Sequence, residues 1–463
     1  MMTGAQYRES LRDGRRVFFN GVKVADVTEH ARFVPAIDRI SAGYDRLAAG
    51  GAEDAANVLS FPRSAEELRS KMERIHEFEG TFLTTFESLL AMQTAGSRMA
   101  HAYPEYRDRI ERYAEHCRAN DLRCVLTVTD AKGHRDRSPA QQDDPDLYLR
   151  VVESRPDGVV INGAKLHITA AAVAHELVVI PTKNMKRGEE QWAIACAVPM
   201  NAEGVTILNA ARMAVDPEER EYHPFSYGKG NPEGFVVFEN VFVPNERVFL
   251  NGEVEHSATF AHSLGLWQRL GSATHMVRAA DMLVGLARLA AEANGTQRID
   301  HIRDKIADMI MYATIVRAGL EAAIASATIT PEGFATPNEL YTNVAKYYGG
   351  AELNRMIRHV HDIAGGSILT APLPGDLANP ETRPYIDKYM RTMDGVDGEY
   401  RTRLFHALRD VTASEWSGHW QAATILGGGG LFAQRVVATK HYDMDRAKAI
   451  AIEEIGLARP VEG

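Results

Sequence analysis

A histidine and a glutamine have a spacing that could bring them together in an active site. His275 follows Gln268 by seven residues in an apolar segment with helical periodicity, and side chains seven residues apart lie on one face of an α-helix. Arg269 adjoins the glutamine. A neutral imidazole can accept or donate a proton, and an amide can orient a ligand. A histidine on a helix also serves as a structural hydrogen-bonding residue, so both interpretations stay open here.

The segment from Asp157 to Thr182 could form a floor for a planar ligand. Its two extended parts, VVINGAKLHI and HELVVIPT, are rich in β-branched residues and read as a strand pair. The run Ala170-Ala171-Ala172 that joins them carries little side chain. A flat cofactor could lie against such a connection, but alanine runs between strands also serve only as tight packing points.

Sequence motifs for several common chemistries are absent. The chain contains no GxSxG, HExxH, Walker A or strand-anchored GxGxxG motif. The glycine run 427–430 could cradle a phosphate, although glycines after a helix are more typical of a C-terminal turn. Cys117, Cys124 and Cys196 lack CxxC spacing, so we predict buried thiols and neither a disulfide framework nor an all-cysteine metal site.

Composition points to a small-molecule ligand. The 463 residues carry a formal net charge of −10, and the basic residues are scattered, which disfavours nucleic acid as a partner. No segment approaches the roughly 18 apolar residues of a membrane span. The charged N-terminus, MMTGAQYRESLRDGRR, lacks the apolar region of a signal peptide. We therefore predict a cytoplasmic protein that contacts no membrane.

The hydrophobic pattern predicts helices, then strands, then helices. A capping box, Ser64 with Glu67, begins a predicted amphipathic helix to Met92 with a kink at Gly80. Short β-branched runs broken by Gly, Pro and Asn follow from about Asp144. Long helical patterns then cover 268–294, 298–328, 338–364 and 400–425.

This order predicts a mainly α-helical fold with a central β-domain. The expected units are an N-terminal helical domain over residues 1–143, a middle β-barrel or sandwich over 144–258, and a C-terminal helical bundle over 259–463. The bundle would contain the His275 helix.

Several blocks in one order resemble a known family. They include NDLRCVLTVTDAKGHRDRSPAQQDDPDLYLRVVE, NGAKLHITAAAVAHELVVIPT, FVVFENVFVPNERVFL and HDIAGGSILTAPLPGDL. The chain is similar, over nearly its whole length, to the family that joins 4-hydroxyphenylacetate 3-monooxygenase oxygenase components with 4-hydroxybutyryl-CoA dehydratase. The resemblance implies an acyl-CoA dehydrogenase-like fold, a homotetramer built from dimers, and FAD bound between the β-domain and the C-terminal helices.

The resemblance also implies a set of flavin-contacting residues. Hydroxyls after a strand suit the isoalloxazine edge, and basic residues suit the diphosphate. Gly365 and Gly366 would let a neighbouring subunit's backbone approach the nucleotide. The flavin contacts implied within the subunit are Thr127, Thr129, Lys132, Arg135 and Thr169.

Two departures from the family narrow the expected chemistry. The dehydratase holds an iron–sulfur cluster with three cysteines and a histidine, and the aligned residues here are Thr81, Thr85, Gln268 and His275. Hydroxyls do not replace thiolates, so we expect no cluster and no metal. The dehydratase lysine aligns with Met276, whereas Glu233 matches its acid–base glutamate.

The second departure concerns the phenol site. The Arg, Tyr and His that hold the phenolate in the hydroxylases align with Phe86, Leu90 and Leu126. Three apolar residues favour a ring that is not a typical phenol, held mainly by hydrophobic contact. Thr81 and Thr85 would flank this pocket.

The resemblance therefore implies the oxygenase component of a two-component flavin-dependent monooxygenase. Reduced FAD from a separate reductase would react with O₂ to form a C4a-hydroperoxyflavin, which oxygenates an aromatic or heteroaromatic ring. His275, Gln268, Glu233 and Arg269 are the expected catalytic residues. The alternatives are a cluster-free lyase or isomerase acting on an acyl-CoA, with Glu233 or His275 as base, and a non-catalytic flavin-binding protein.

Overall fold

The computed structural model describes residues 1–50, 59–75, 83–210, 220–392 and 395–456. It has the predicted mainly helical architecture with a central β-region. Within the described chain, no helix combines the length and apolar character that crossing a membrane requires.

Two of the N-terminal helices begin at residues whose side chains satisfy exposed backbone amides. Thr3 and Gln6 form a capping box, and the Ser64 hydroxyl accepts a hydrogen bond from the Glu67 amide. Gly80, the predicted kink, lies outside the described residues. The helices are α1 (Gly4–Ser10), α2 (Val34–Ala49), α3 (Ala65–Arg74), α4 (Leu83–Met99) and α5 (Pro104–Ala119).

The β-region consists mainly of two sheets. The larger has the strand order β2-β1-β9-β10-β6-β4, with β5 also paired to β6, and the smaller has the order β11-β8-β7-β3. The strands are β1 (Val17–Phe19), β2 (Val22–Val24), β3 (Cys124–Thr127), β4 (Thr129–Asp130), β5 (Arg150–Arg155), β6 (Gly158–Thr169), β7 (Glu176–Val179), β8 (Ile194–Pro199), β9 (Val205–Asn209), β10 (Glu233–Pro244) and β11 (Val248–Asn251).

The sheets recruit strands from before the predicted β-domain. β1 pairs in parallel with β9, Val17 opposite Ile207, and β3 pairs in parallel with β7, Cys124 opposite Glu176. Four strands thus lie within residues 1–143. A short helix, α6 (Pro224–Gly228), precedes β10.

The alanine run after β6 does not join a strand pair, contrary to the prediction. β6 lies in the larger sheet and β7 in the smaller one. Ala170 has a left-handed backbone, φ 62°, and its amide donates to the Pro232 carbonyl at 2.7 Å. A 3₁₀ turn, Ala171–Val173, follows. The chain therefore crosses from one sheet to the other at this point, where a compact connection is required.

The C-terminal region contains three long helices followed by shorter ones. They are α7 (Ser257–Ala293), α8 (Asp300–Ala325), α9 (Glu339–Ala364), α10 (Ser367–Thr370), α11 (Pro374–Ala378), α12 (Arg383–Tyr389), α13 (Gly398–Ala413), α14 (Glu415–Leu426), α15 (Leu431–His441) and α16 (Met444–Ile455). A two-stranded ribbon, β12 (Thr328–Ile329) with β13 (Ala335–Thr336), links α8 to α9.

The predicted single helix over 400–425 is wrong, because Ser414 interrupts it. Its backbone is extended, with ψ 169°, and its hydroxyl accepts from the Ser417 amide, which begins α14. The glycine run 427–430 forms the predicted turn after this helix, with φ of 72° at Gly428 and 89° at Gly429. Left-handed backbone of this kind favours glycine.

Two hydrophobic clusters fix the helices relative to the sheets. One packs α4 and α5 against α7, α8 and α9, and in it the Trp267 indole donates to the Thr94 hydroxyl at 2.8 Å. The other lies between the sheets, α1 and α2, where the Tyr7 hydroxyl donates to the Val173 carbonyl at 2.7 Å. The first cluster sets the distance between α4 and α7.

Candidate active site

A cavity of about 510 Å³ lies where α4, α7 and α14 meet the β-region. Its wall includes Thr84 from α4, Thr169 at the end of β6, Glu233 at the start of β10, and Gln268 and His275 from α7. Small-molecule sites commonly enclose roughly 300–1,000 Å³. The cavity is therefore large enough for an aromatic ring with substituents.

The face of α7 that carries Gln268 and His275 forms one side of this cavity. Both residues are half-buried, and Met276 lies beside them in the lining. Arg269 is absent from the lining, because its Nε donates to the Gly428 carbonyl at 2.8 Å and its Nη1 to Asn343 Oδ1 at 2.9 Å. Arg269 therefore anchors the glycine turn. The catalytic roles expected for His275, Gln268, Glu233 and Arg269 stay predictions.

Glu233 has a partner that sequence reasoning missed. His419 Nε2 on α14 lies 3.5 Å from Glu233 Oε1, and both residues line the cavity. Hydrogen bonding to Glu233 raises the pKa of His419, and burial opposes this. The β-ladder places Glu233 opposite Thr169. The pair therefore joins the bundle to the strand ends that border the cavity.

Stacked aromatic rings form a second side of the cavity. Trp416 and Trp420 on α14 line it, with ring centroids 5.7 Å apart and planes 9° from parallel. Phe225 stacks on Trp416 at 5.6 Å. The Asp410 carboxylate accepts from the Phe225 amide at 2.7 Å, which holds this ring in place. Such a wall favours flat apolar ligands.

A buried carboxyl, Glu87 on α4, also lines the cavity. It is 6% exposed, and burial raises its pKa well above the ordinary value. It lies against Gly271 of α7, where a Cβ would stand 2.1 Å from Glu87 Oε1. Glu87 is the only charged residue in the run LTTFESLLAM. A single charge in an otherwise uncharged helical segment could have marked it as a candidate site residue.

The other predicted pocket residues lie elsewhere. Thr81 is outside the described residues, and the buried Thr85 hydroxyl accepts from the Cys124 amide at 2.9 Å. Phe86 packs edge-to-face on Trp267 with centroids 6.2 Å apart, Leu90 is fully buried, and Leu126 packs at the edge of the same core. The cavity lining instead takes Leu83, Thr84 and Glu87 from this helix. Their neighbours on the helix face the core.

A buried ion pair fixes the base of the predicted flavin turn. Lys165 Nζ lies 2.8 Å from Asp130 Oδ1 and donates to the Val128 and Ile180 carbonyls, both at 2.9 Å. Asp130 Oδ1 also accepts from the Leu149 amide at 2.9 Å. Burial raises the pKa of Asp130, and Lys165 opposes that effect. Asp130 Oδ1 and Lys165 Nζ thus each have more than one partner.

The turn that follows carries groups suited to an anion. Lys132 is half-buried with φ 71°, and Arg135 is exposed. Burial lowers the pKa of Lys132, and Arg135 lowers it further. A cofactor diphosphate would relieve this effect. Thr129 is half-buried, whereas Thr127 is fully buried with its hydroxyl donating to the Val125 carbonyl at 3.3 Å.

Gly365 and Gly366 end α9 at the surface. Gly365 has φ 66°, and both residues are exposed. A Cβ at either position would meet no atom within 4 Å. The described chain therefore leaves open space beside these two glycines. The predicted approach of a neighbouring subunit's backbone to the nucleotide at this point stays a prediction.

The thiol prediction is confirmed, since all three cysteines are buried. Cys117 and Cys124 lie with their Sγ atoms 3.6 Å apart. Across the described ranges, no group of three or more His, Cys, Asp or Glu side chains is arranged to hold a metal ion.

Family models match almost the whole chain. The model of the 4-hydroxyphenylacetate 3-hydroxylase N-terminal region matches residues 3–250, and that of the C-terminal region matches residues 257–455. The chain belongs to this family. The predicted family is therefore confirmed.

Curated relatives of this 4-hydroxyphenylacetate 3-hydroxylase family member represent both branches of the resemblance. A 4-hydroxybutyryl-CoA dehydratase/vinylacetyl-CoA-Δ-isomerase from Clostridium aminobutyricum is 26% identical over 97% of this chain and 98% of its own length. A 4-hydroxyphenylacetate 3-monooxygenase oxygenase component from Geobacillus is 26% identical over 89% and 88%. A FADH₂-dependent monooxygenase from Burkholderia cepacia is 26% identical over 96% and 90%.

Solved structures confirm the predicted fold. A 4-hydroxybutyryl-CoA dehydratase from N. maritimus superposes with a TM-score of 0.90 at 24% identity, covering 100% of this chain and 96% of the other. An FAD complex of a 4-hydroxyphenylacetate 3-monooxygenase oxygenase component gives 0.86 at 22% identity, covering 98% and 99%. A glutaryl-CoA dehydrogenase gives 0.51 at 16% identity, covering 85% and 81%. The fold is acyl-CoA dehydrogenase-like.

Proposed function

We propose that this family member is the oxygenase component of a two-component flavin-dependent monooxygenase. Bound reduced FAD would supply the two electrons that activate O₂. One oxygen atom would pass to an aromatic or heteroaromatic ring that is not a typical phenol, and the other would leave as water. The oxygenase and FADH₂-dependent monooxygenase relatives support this reaction class.

The observation that carries the proposal is the cavity itself. It extends from Thr169, an expected flavin contact, to Gln268 and His275, and stacked tryptophans form one wall. A flat ring would stack on this wall, while Gln268 and His275 would orient its polar substituents. The apolar part of the lining, which includes Met276, Met282 and Leu353, would limit the water that diverts activated oxygen to hydrogen peroxide.

The chain's own residues would hold the cofactor around the turn after β3. Lys132 and Arg135 would pair with the diphosphate, and Thr129 and Thr169 would contact the ring system. Thr127 would contribute through its backbone, because its hydroxyl already bonds the Val125 carbonyl. The Asp130–Lys165 pair would hold this turn in position.

Anaerobic titration with reduced FAD tests the cofactor part of the proposal. We expect wild-type protein to bind reduced FAD, and Lys132→Ala with Arg135→Ala to weaken binding by about tenfold or more, since charge-assisted bonds contribute about 1.5–3 kcal/mol each. Lys186→Ala, an exposed lysine outside the turn, is the control. Unchanged binding in the double variant would contradict the assignment.

A second candidate is a cluster-free lyase or isomerase acting on an acyl-CoA. The dehydratase relative and Glu233 in the cavity favour it, whereas Met276 in place of the lysine opposes it. Calorimetry with butyryl-CoA and crotonyl-CoA, with and without FAD, separates the two. Binding of either ester at micromolar concentration would favour the lyase.

The proposed partners are O₂, a small-molecule ring, a flavin reductase and further copies of this chain. Exposed apolar side chains on the last helices, Leu426, Phe432 and Ile455 at 64, 79 and 64% exposure, support assembly into a homotetramer built from dimers. Sedimentation of the full chain tests that assembly.

A further inference from the structure

The wall of α4 that borders the cavity carries two polar groups without protein partners. Within the described residues, the Glu87 carboxyl makes no hydrogen bond or ion pair, and the buried Thr84 Oγ1 has no partner either. Both line the cavity, and Glu87 is 94% buried. An unsatisfied buried polar group costs about 1–3 kcal/mol of stability. We therefore expect a bound ligand to supply the missing hydrogen-bond partner.

The structure makes room for this carboxyl. Position 271 of α7 is glycine, and a Cβ there would stand 2.1 Å from Glu87 Oε1. Glycine inside a helix costs up to about 1 kcal/mol relative to alanine. Gly271 lies between Gln268 and His275 on α7, so the Glu87 carboxyl lies beside the proposed polar end of the cavity.

Other buried carboxyls of the described chain are paired. Asp130 pairs with Lys165, Glu176 with Arg247 at 2.6 Å, Glu189 accepts from the Lys186 amide at 2.8 Å, and Asp410 accepts from the Phe225 amide at 2.7 Å. Those four carboxyls have partners that stabilise the fold, whereas Glu87 has none among the described residues.

Burial favours the uncharged acid at Glu87. Burial is the cause of its raised pKa, with no charged neighbour contributing. The other charged or titratable residues in the cavity lining are Arg123, Lys229, Glu233, His275, Arg278, Tyr312 and His419. An uncharged carboxyl is a hydrogen-bond donor as well as an acceptor.

We propose that the Glu87 carboxylic acid selects the substrate by donating a hydrogen bond to an oxygen acceptor on an uncharged aromatic ring, such as a ketone or nitro oxygen. Thr84 is the second donor on the same turn. The inference deepens the proposed oxygenase function and names the class of ring that its cavity takes. A ring that lacks the oxygen leaves both groups unsatisfied and binds more weakly.

Binding of acetophenone and ethylbenzene, measured by tryptophan fluorescence, tests this selection. These rings differ only in the carbonyl oxygen, and Trp416 and Trp420 report from the cavity wall. We expect wild-type protein to bind acetophenone about fivefold more tightly, equal to about 1 kcal/mol. Glu87→Met should abolish the preference, and Glu87→Gln, which keeps an N–H donor, should retain part of it.

Glu189→Gln, the same chemical change at a buried carboxyl outside the cavity, should leave the preference intact. Equal preference in Glu87→Met and wild type would overturn the proposal. So would a wild-type protein that prefers neither ring or binds neither.

Infrared difference spectroscopy at neutral pH gives an independent test that needs no ligand. The carbonyl stretch of a protonated carboxylic acid should be present in wild type and missing in Glu87→Gln. Its absence from wild type overturns the proposal, even if Glu87→Met fails to fold. Neither measurement involves turnover, so a failure of oxygenation with the binding preference intact would remove only the proposed function.

Discussion

Two buried carboxyls in this molecule have opposite surroundings. Asp130 accepts hydrogen bonds from Lys165 and from the Leu149 amide, beside the turn expected to hold FAD. Glu87 lines the cavity without a protein partner among the described residues. Both are at least 94% buried. The first arrangement is complete without a ligand, whereas the second becomes complete only when a ligand supplies the missing acceptor.

The difference separates residues that build the site from residues that act in it. A protein loses stability when one partner of a buried charge pair is removed, because the other charge is left buried and unpaired. Unpaired polar groups cost stability in the empty protein and return it on binding. Removing a partner of the Asp130 pair should therefore lower the stability of the protein. Removing the Glu87 carboxyl should raise the stability and weaken ligand binding.

The largest expected effect is at the paired carboxyl. Lys165→Met removes the ammonium that pairs with Asp130 and should lower the free energy of unfolding by about 3–5 kcal/mol in urea denaturation. Adding Asp130→Leu should recover part of the loss, because no unpaired charge remains. A loss below about 1 kcal/mol would show that the pair does not stabilise the fold as expected. Lys186→Met, at the surface, is the control and should leave the stability nearly unchanged.

Glu87→Met should shift stability the other way. Replacing the unsatisfied carboxyl by an apolar side chain of similar length should raise the free energy of unfolding by about 1–3 kcal/mol. Glu176→Met removes a carboxyl paired with Arg247 and should instead destabilise the protein. A loss of stability in Glu87→Met would show that this carboxyl holds the fold.

His275→Ala sharpens the comparison on the functional side. We expect FAD binding to persist and product formation to fall about tenfold, equal to about 1.4 kcal/mol of transition-state stabilisation. Full turnover would show that His275 is structural. Chemical quench with liquid chromatography measures product, and a peroxide assay measures uncoupled O₂.

The smallest expected effect concerns His419 and Glu233. Since Glu233 raises the pKa of His419, the pair contributes its full stabilisation below the ordinary histidine pKa of about 6.5. That contribution should decline as the pH rises above this value and through the folded-state pKa. The stability difference between wild type and His419→Gln, followed from pH 5 to pH 9 by denaturation, should shrink with rising pH. A difference that grows would contradict the assigned partner.

The helical pattern and turn residues predicted most of the fold, because periodicity and capping are local properties. The capping serine at 64, the helix of His275 and the turn at Gly428 were readable in this way. The Ser414 break was missed because serine is tolerated within helices and acts as a cap only where the backbone extends.

The candidate site was partly predictable. Spacing placed Gln268 and His275 on one face, and both line the cavity. The pairing of Glu233 with His419, and the contact of Glu87 with Gly271, depend on helices far apart in sequence. Sequence spacing within one element does not report such contacts. On α4, a difference of one position separates the cavity residue Thr84 from the buried Thr85.

Oxygen-isotope transfer tests the proposed oxygenase function most directly. Wild-type protein would receive chemically reduced FAD and ¹⁸O₂ together with acetophenone, nitrobenzene or indole, and mass spectrometry would follow the products. We predict that at least one ring gains a single ¹⁸O atom, that this requires reduced FAD, and that the yield falls in His275→Ala. If no ring gains ¹⁸O and all consumed O₂ appears as hydrogen peroxide, the proposed function is contradicted.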